Sequence, residues 1–401
     1  MKEVKKIETK LGVNDDYSKE FEAGTISEIE MGEFLLQVDE DSTWKDIELE
    51  NTEAKSILAG PLLIPSLKAE LKLPEGTSDE AIHSTCDPDC YDGSKFALFA
   101  AGKDYLLSKT GLTSLVMRLG ADSSRFGRLL NNDKQTVLNC YTKIAKNKAK
   151  CLYRFEKMRA VNGPDYSILP QGELFGILVN KLTEEYPNYE FEGGTFTHDL
   201  TVANFLLVDQ AKELLEDYKE KCVEAGIKNV EDYIPAVSFM TSDTGTSCAC
   251  ITTKLVNSKN KKYVINLGSP IKLEHKNEAT VSKFKALLDG MFAQFQQQIS
   301  LLDNLISIKI NHPINAAISI GKKCGLSKPA LREAVETFSP VFTKDSTAHD
   351  VFFVLQEALY NMRCNAKISR ASILTAEENI SRCLSSKFDW KSEDLSFTPD
   401  L

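Results

Sequence analysis

The pattern of the chain changes near residue 270. Up to Leu267 short strand-like and helix-like segments alternate irregularly, and from Asn277 onward the apolar spacing is almost wholly helical. Mixed strands and helices followed by helices alone argue for an α+β fold, with a mixed or antiparallel sheet region and a mainly helical C-terminal part, and against an alternating parallel sheet. At 401 residues the chain exceeds the ~250–300 that one core usually serves, so two units or one large elaborated unit are expected. The expected organisation is an acidic, loosely held N-terminal arm over 1–26, an α+β core domain over 27–270, a helical region over 271–390 and a loose tail over 391–401.

Within that frame a first strand is expected over Glu33–Val38, and 60–76, bounded by prolines, suits strand edges or loop. Lys95–Ser108 reads as a hairpin turning at Ala101-Gly102-Lys103. Short helices are expected over 110–119 and 123–130, a third over 133–148, and a strand over 151–161. A helix over 171–182, an extended piece over 189–196 and a helix over 208–225 closed by Gly226 come next. Strands over 236–240, 248–256 and 262–267, joined by Thr241–Ser247 (TSDTGTS) and by NSKNK, have the spacing of an antiparallel meander. Helices follow over 278–302, 313–324, 328–337, 347–363 and 372–384.

With 42% hydrophobic and 26% charged residues the composition is that of a folded protein. No apolar run reaches the ~18 residues of a membrane span, and MKEVKKIETK is not followed by an apolar stretch. No membrane partner is expected, and the ten cysteines read as reduced thiols in a cytosol-like, cytoplasmic setting.

The net charge of −10 conceals a polarity. Residues 1–55 carry 16 acidic against 7 basic side chains, whereas 101–163 carry 13 basic against 4 acidic. In the basic zone, Lys143, Lys146 and Lys150 follow an i, i+3, i+7 spacing that would align them if the helix extended that far. Arg154, Lys157 and Arg159 continue the charge, with Tyr153 and Phe155 between them. Cations for phosphates and flat rings for unpaired bases are what a binder of single-stranded DNA or RNA needs, so these eight residues form the candidate nucleic-acid site. A solvated helix face beside an ordinary strand gives the same string. Two helix-turn-helix readings, over 110–130 with Arg118, Arg125 and Arg128 and over 317–335 around Gly325, would instead suit duplex DNA.

No P-loop, HExxH, GxSxG or GxGxxG pattern occurs, and no catalytic residue or cofactor is expected. His83, Cys86 and Cys90 have ligand-like spacing but no second pair at matching spacing, and Cys248 and Cys250, which could complete four zinc ligands, read equally as core thiols, so no metal is assigned. His198-Asp199 and His349-Asp350 resemble phosphohydrolase dipeptides, with helix capping as the plainer role of both aspartates.

The blocks LLSKTGLTSLVMRLGADSSRFGRLL, MRAVNGPDYSILPQGELFGIL (158–178), IPAVSFMTSDTGTSCACITTKLV (234–256) and DSTAHDVFFVLQEAL (345–359) resemble, in order, those of the phage and plasmid-like proteins called domain of unknown function 932. The resemblance spans about 95–365 and departs at INLGSPIKLEHKNEA. It implies a protein of mobile elements in a bacterial or phage-infected cytoplasm and transfers no catalytic residue. Non-enzymatic binding of single-stranded nucleic acid in replication, recombination or establishment of such an element is the function expected. A host protein is the alternative partner, as for an inhibitor of a defence system, and a cryptic metal-dependent enzyme comes third. Self-association is left open.

Overall fold

The computed structural model describes residues 21–22, 27–56, 96–121, 123–154, 157–196, 199–209, 211–227, 233–261, 263–343, 345–365, 368 and 370–399. The segments 60–76 and 83–90 discussed above, and Phe155, lie outside these residues. Among the described residues no helix is long and apolar enough to cross a membrane.

Two six-stranded sheets carry the α+β architecture. Sheet I is antiparallel throughout and runs β1 (Phe21–Glu22), β8 (Glu190–Phe196), β9 (Thr201–Leu206), β10 (Tyr233–Thr241), β11 (Ala249–Asn257) and β12 (Val264–Leu273). The three-strand meander expected from the sequence forms its second half. Sheet II has the order β2 (Thr43–Glu48), β6 (Lys148–Arg154), β7 (Lys157–Asn162), β5 (Lys103–Leu107), β4 (Phe96–Ala100) and β3 (Glu53–Ser56). Only its β5–β7 pair is parallel. The β4–β5 hairpin turns at Ala101 and Gly102, both with positive φ, as the Ala-Gly-Lys step predicts.

Several expectations are corrected. Glu33–Val38 belongs not to a strand but to helix α1 (Glu28–Glu40), whose Met31, Phe34, Leu35 and Val38 are buried at i, i+3, i+4 and i+7. Ser27 and Glu30 close a capping box at its start. The single strand over 151–161 is two antiparallel strands, β6 and β7, and the helix expected to reach 148 stops at Ile144 in α4 (Asn131–Ile144). The chain turns extended at Ala145 because 148–154 is taken by the ladder with β2. The helix expected over 123–130 is one turn, α3 (Ser123–Phe126), following α2 (Lys109–Arg118), so 110–130 has no second helix long enough to lie in a groove. The helix expected over 278–302 divides at Gly290 into α7 (Val281–Asp289) and α8 (Met291–Ile306). Strands β2, β3 and β9 are not among the elements expected from the sequence.

The remaining helices are α5 (Gln171–Glu185), α6 (Ala211–Glu224), α9 (Pro313–Cys324), α10 (Lys328–Phe338), α11 (Ala348–Cys364) and α12 (Arg370–Arg382). Gly325, at φ 83°, ends α9 before Ser327 opens α10. The C-terminal helices share one hydrophobic core with sheet I: Phe239, Leu255 and Leu267 of the sheet join Phe284, Phe295, Phe352 and Trp390 in one cluster. A second, smaller core lies between sheet II and helices α2 and α4, built from Leu98, Leu107, Leu115, Leu138, Cys151 and Met158. The last segment is docked at its start. Glu393 accepts from Ser319 Oγ at 2.7 Å and Lys323 Nζ at 2.6 Å, and Asp394 accepts from the backbone of Asn311 and His312.

Candidate functional site

Strand register divides the cation-rich stretch between solvent and interior. On β6, Ala149, Cys151 and Tyr153 point into the smaller core, and alternation sends Lys148, Lys150 and Leu152 to the opposite face. Lys143, on the last turn of α4, and Lys146 and Lys148 after it are exposed. Lys150 is half-buried and donates its Nζ to the Tyr166 carbonyl at 2.8 Å. Because α4 ends at Ile144, these cations follow a helix end, a connection and a strand, and not the helical stripe that the spacing suggested.

The other candidate residues go inward. Tyr153 is buried against Tyr105, their ring centres 4.4 Å apart, with Lys45 Nζ over both rings. Its faces are therefore covered and offer no surface for a base. Burial also drives its hydroxyl well above the usual tyrosine range. Arg154, Lys157 and Arg159 are each 1–2% exposed, which removes them from the surface set.

Buried cations need acceptors, and for Arg154 and Arg159 the carboxylates come from connections between the strands of sheet I. Arg154 forms an ion pair with Asp243 and donates Nε and Nη2 to Ser42 Oγ at 3.1 and 2.9 Å. In register, Leu152 opposes Ala160 and Tyr153 opposes Met158, leaving Arg159 as the extra residue of a bulge. Its burial lowers its pKa to about 9, against the opposing fields of Asp199 and Asp243. Burial likewise raises the Asp199 carboxyl, which bonds the Thr110 side chain at the start of α2. Asp199 thus belongs to this network and caps no helix of its own, whereas Asp350 does close a capping box with Thr347.

The TSDTGTS segment, which reads as a plain polar turn, is the other wall of the network. Thr241, Ser242, Asp243 and Thr244 are buried, and the hydroxyls of Thr244 and Thr246 bond the Asp199 carbonyl. Gly245 has φ 79°, and a Cβ there would stand 2.9 Å from Asn162 Oδ1. Asp39, at the end of α1, accepts the backbone N–H groups of Gln171 and Gly172 at 2.9 and 2.8 Å and so closes the start of α5. Burial nonetheless pushes its carboxyl up to about 6.

Beside the network, Trp44, Tyr166 and His275 stack in sequence, at 5.4 Å between the first two rings and 4.9 Å between the last two. Tyr166 donates its hydroxyl to the Asp243 carbonyl at 3.1 Å, tying the stack to the loop. His275 directs Nδ1–H to the Ser167 carbonyl at 3.0 Å, and burial lowers its pKa. Next to this stack a cavity of about 420 Å3 is lined by Lys150, Tyr166 and Asn277 among others.

Sequence reasoning found Lys150 but missed Trp44, Tyr166, Asp243 and His275. The density of hydroxyls and the Asp-x-Gly step in 241–247 are the only local signals that could have singled that loop out. Among the described residues no group of three or more His, Cys, Asp or Glu side chains is placed to hold a metal ion, and His83, Cys86 and Cys90 lie outside them. No protein-family model matches the chain, and no curated protein or solved structure matches it either.

Proposed function

We propose that the protein binds single-stranded nucleic acid without transforming it, through phosphate contacts from Lys143, Lys146 and Lys148, with Lys150 at the inner end. The observation that carries this reading is the run of exposed cations that leads from the end of α4 along β6 to the open cavity beside Tyr166. Phosphate binding needs mobile, solvated cations at such spacing and no aromatic surface, so the burial of Tyr153 leaves it intact. A role in replication, recombination or establishment of a mobile element rests on the resemblance of the four sequence blocks.

The test is the salt dependence of binding to a labelled single strand. Three phosphate contacts give a slope of log affinity against log salt of about −2. Lys143→Glu with Lys146→Glu is expected to abolish most of it. Salt-independent binding, or binding indifferent to the double reversal, would remove the reading.

A second reading is favoured by apolar exposure in the same unit. Met117, Leu130 and Ile144 are 68%, 76% and 73% exposed, which suits contact with a partner protein such as a host factor. Capture of one host protein that is lost on Ile144→Glu and Leu130→Glu, with no nucleic acid bound, supports that alternative.

A further inference from the structure

The cavity beside Lys150 has a composition that phosphate binding alone does not explain. Asp165 and Glu278 stand in its wall with Lys150, although carboxylates repel a phosphate backbone. The rest of the lining includes Pro164 and Ile168, the latter 41% exposed, which give it an apolar side. The volume, about 420 Å3, is within the range of small-ligand sites.

The wall that carries Glu278 is held in an unusual conformation. Asn277 and Glu278 are consecutive non-glycine residues at φ 54° and 56°, a region that a Cβ disfavours. Lys283 Nζ donates to both of their carbonyls, at 3.3 and 2.9 Å, and Ala279 N–H bonds Ser167 Oγ at 3.1 Å. On the opposite side Ser167 N–H is fixed to the His275 carbonyl at 3.0 Å. Both walls are therefore set by bonds within the protein. Tyr166 presents no open ring face, since Trp44 and His275 stack on it.

We infer that this cavity receives one unstacked base of the bound strand and selects a base bearing an exocyclic amino group, cytosine being the smallest case. A carboxylate accepts hydrogen bonds and donates none. It therefore takes the N4 amino group of cytosine, whereas thymine offers it only N3–H, flanked by the repelling O4 and O2. Pro164 and Ile168 supply the apolar surface for the ring, and Lys150 holds the adjoining phosphate. Single-stranded bases are read on such edges because they are free of pairing. This inference rests on the binding proposed above and adds to it a preference that phosphate contacts cannot generate.

The experiment compares oligo(dC) with oligo(dT) of equal length on the full chain, with and without Asp165→Asn and Glu278→Gln together. Both residues are exposed, so the double variant is expected to fold, and its melting curve checks this. About tenfold tighter binding of oligo(dC) is expected for the natural chain, shrinking to near equality in the variant while oligo(dT) affinity holds or rises. Equal affinities in the natural chain, or a preference that survives the double variant, overturn the base-selective cavity and leave phosphate binding standing. Absence of salt-sensitive binding to either oligonucleotide overturns the underlying reading as well.

Discussion

Lys143 and Lys146 on one side, and Arg154 and Arg159 on the other, come from a single cation-rich stretch of sequence and end in opposite environments. The first two are exposed at the last turn of a helix and just beyond it, and the second two are buried between sheets, facing Asp243 and Asp199. The exposed pair can meet a partner's phosphates at little desolvation cost. The buried pair has its partners inside the protein, and its role is to fasten sheet II to the 241–247 loop of sheet I. A block of like charge in sequence thus divides into a surface open to solvent and an interior that joins.

The largest expected effect tests the joining half. Asp243→Ala leaves Arg154 buried without its carboxylate, and a loss of about 3–5 kcal/mol in urea unfolding is expected. A loss below about 1 kcal/mol would mean that the buried cations do not hold the sheets together.

A pH effect of somewhat smaller size comes from the core of sheet I and its helices, where His349 Nε2 lies 2.8 Å from the Tyr218 hydroxyl. Burial lowers the His349 pKa to about 4, against 6.5 for an ordinary histidine. The folded state therefore binds this proton less tightly than the unfolded state. The stability it contributes is present above pH 6.5 and lost as pH falls toward 4, up to about 3 kcal/mol. Asp39 works in the opposite sense. With its carboxyl raised from 3.8 to about 6, its share is present below pH 3.8 and lost as pH rises through 6. Stability profiles of His349→Gln and Asp39→Asn, each measured against the natural chain between pH 4 and 7, should diverge with opposite slopes.

Gly111 sets the next contrast. At the first turn of α2 its Cβ position would lie 2.3 Å from the Met158 carbonyl of β7, so Gly111→Ala must push the helix from the strand that carries Arg159. A cost of about 1–3 kcal/mol is expected in thermal or chemical unfolding. Full stability in that variant would show that the helix and strand have room to separate. The smallest expected change belongs to the exposed half: Lys143→Glu with Lys146→Glu should alter stability by no more than about 0.5 kcal/mol. Combined with lost binding of a single strand, that result makes the division between surface and interior complete.

How much of this was legible in the sequence depended on whether the signal was local. The turn of the hairpin at Gly102, the cap at Gly226 and the break at Gly325 follow from glycines, which adopt positive φ without a steric cost. The helix over 28–40 is legible too, through Ser27, Glu30 and the apolar spacing of Met31, Phe34, Leu35 and Val38, although 33–38 taken alone looks extended. Of the candidate site, the exposed cations followed from composition. The inward turn of Tyr153, Arg154 and Arg159 did not, since it depends on the register of β6 with β2 and on a one-residue bulge in β7. Shifting that register by one residue would exchange the Lys150 and Cys151 faces.

The sequence by itself determined the α+β character, the helical C-terminal part and the basic zone between two acidic-leaning regions, because periodicity and composition are properties of neighbours along the chain. Tertiary structure alone decided that the C-terminal helices share a core with sheet I, that Arg154 and Arg159 meet Asp243 and Asp199, and that Trp44, Tyr166 and His275 stack beside Lys150. Those residues lie tens to hundreds of positions apart, and only the pairing of strands and the docking of the two sheets bring them within bonding distance.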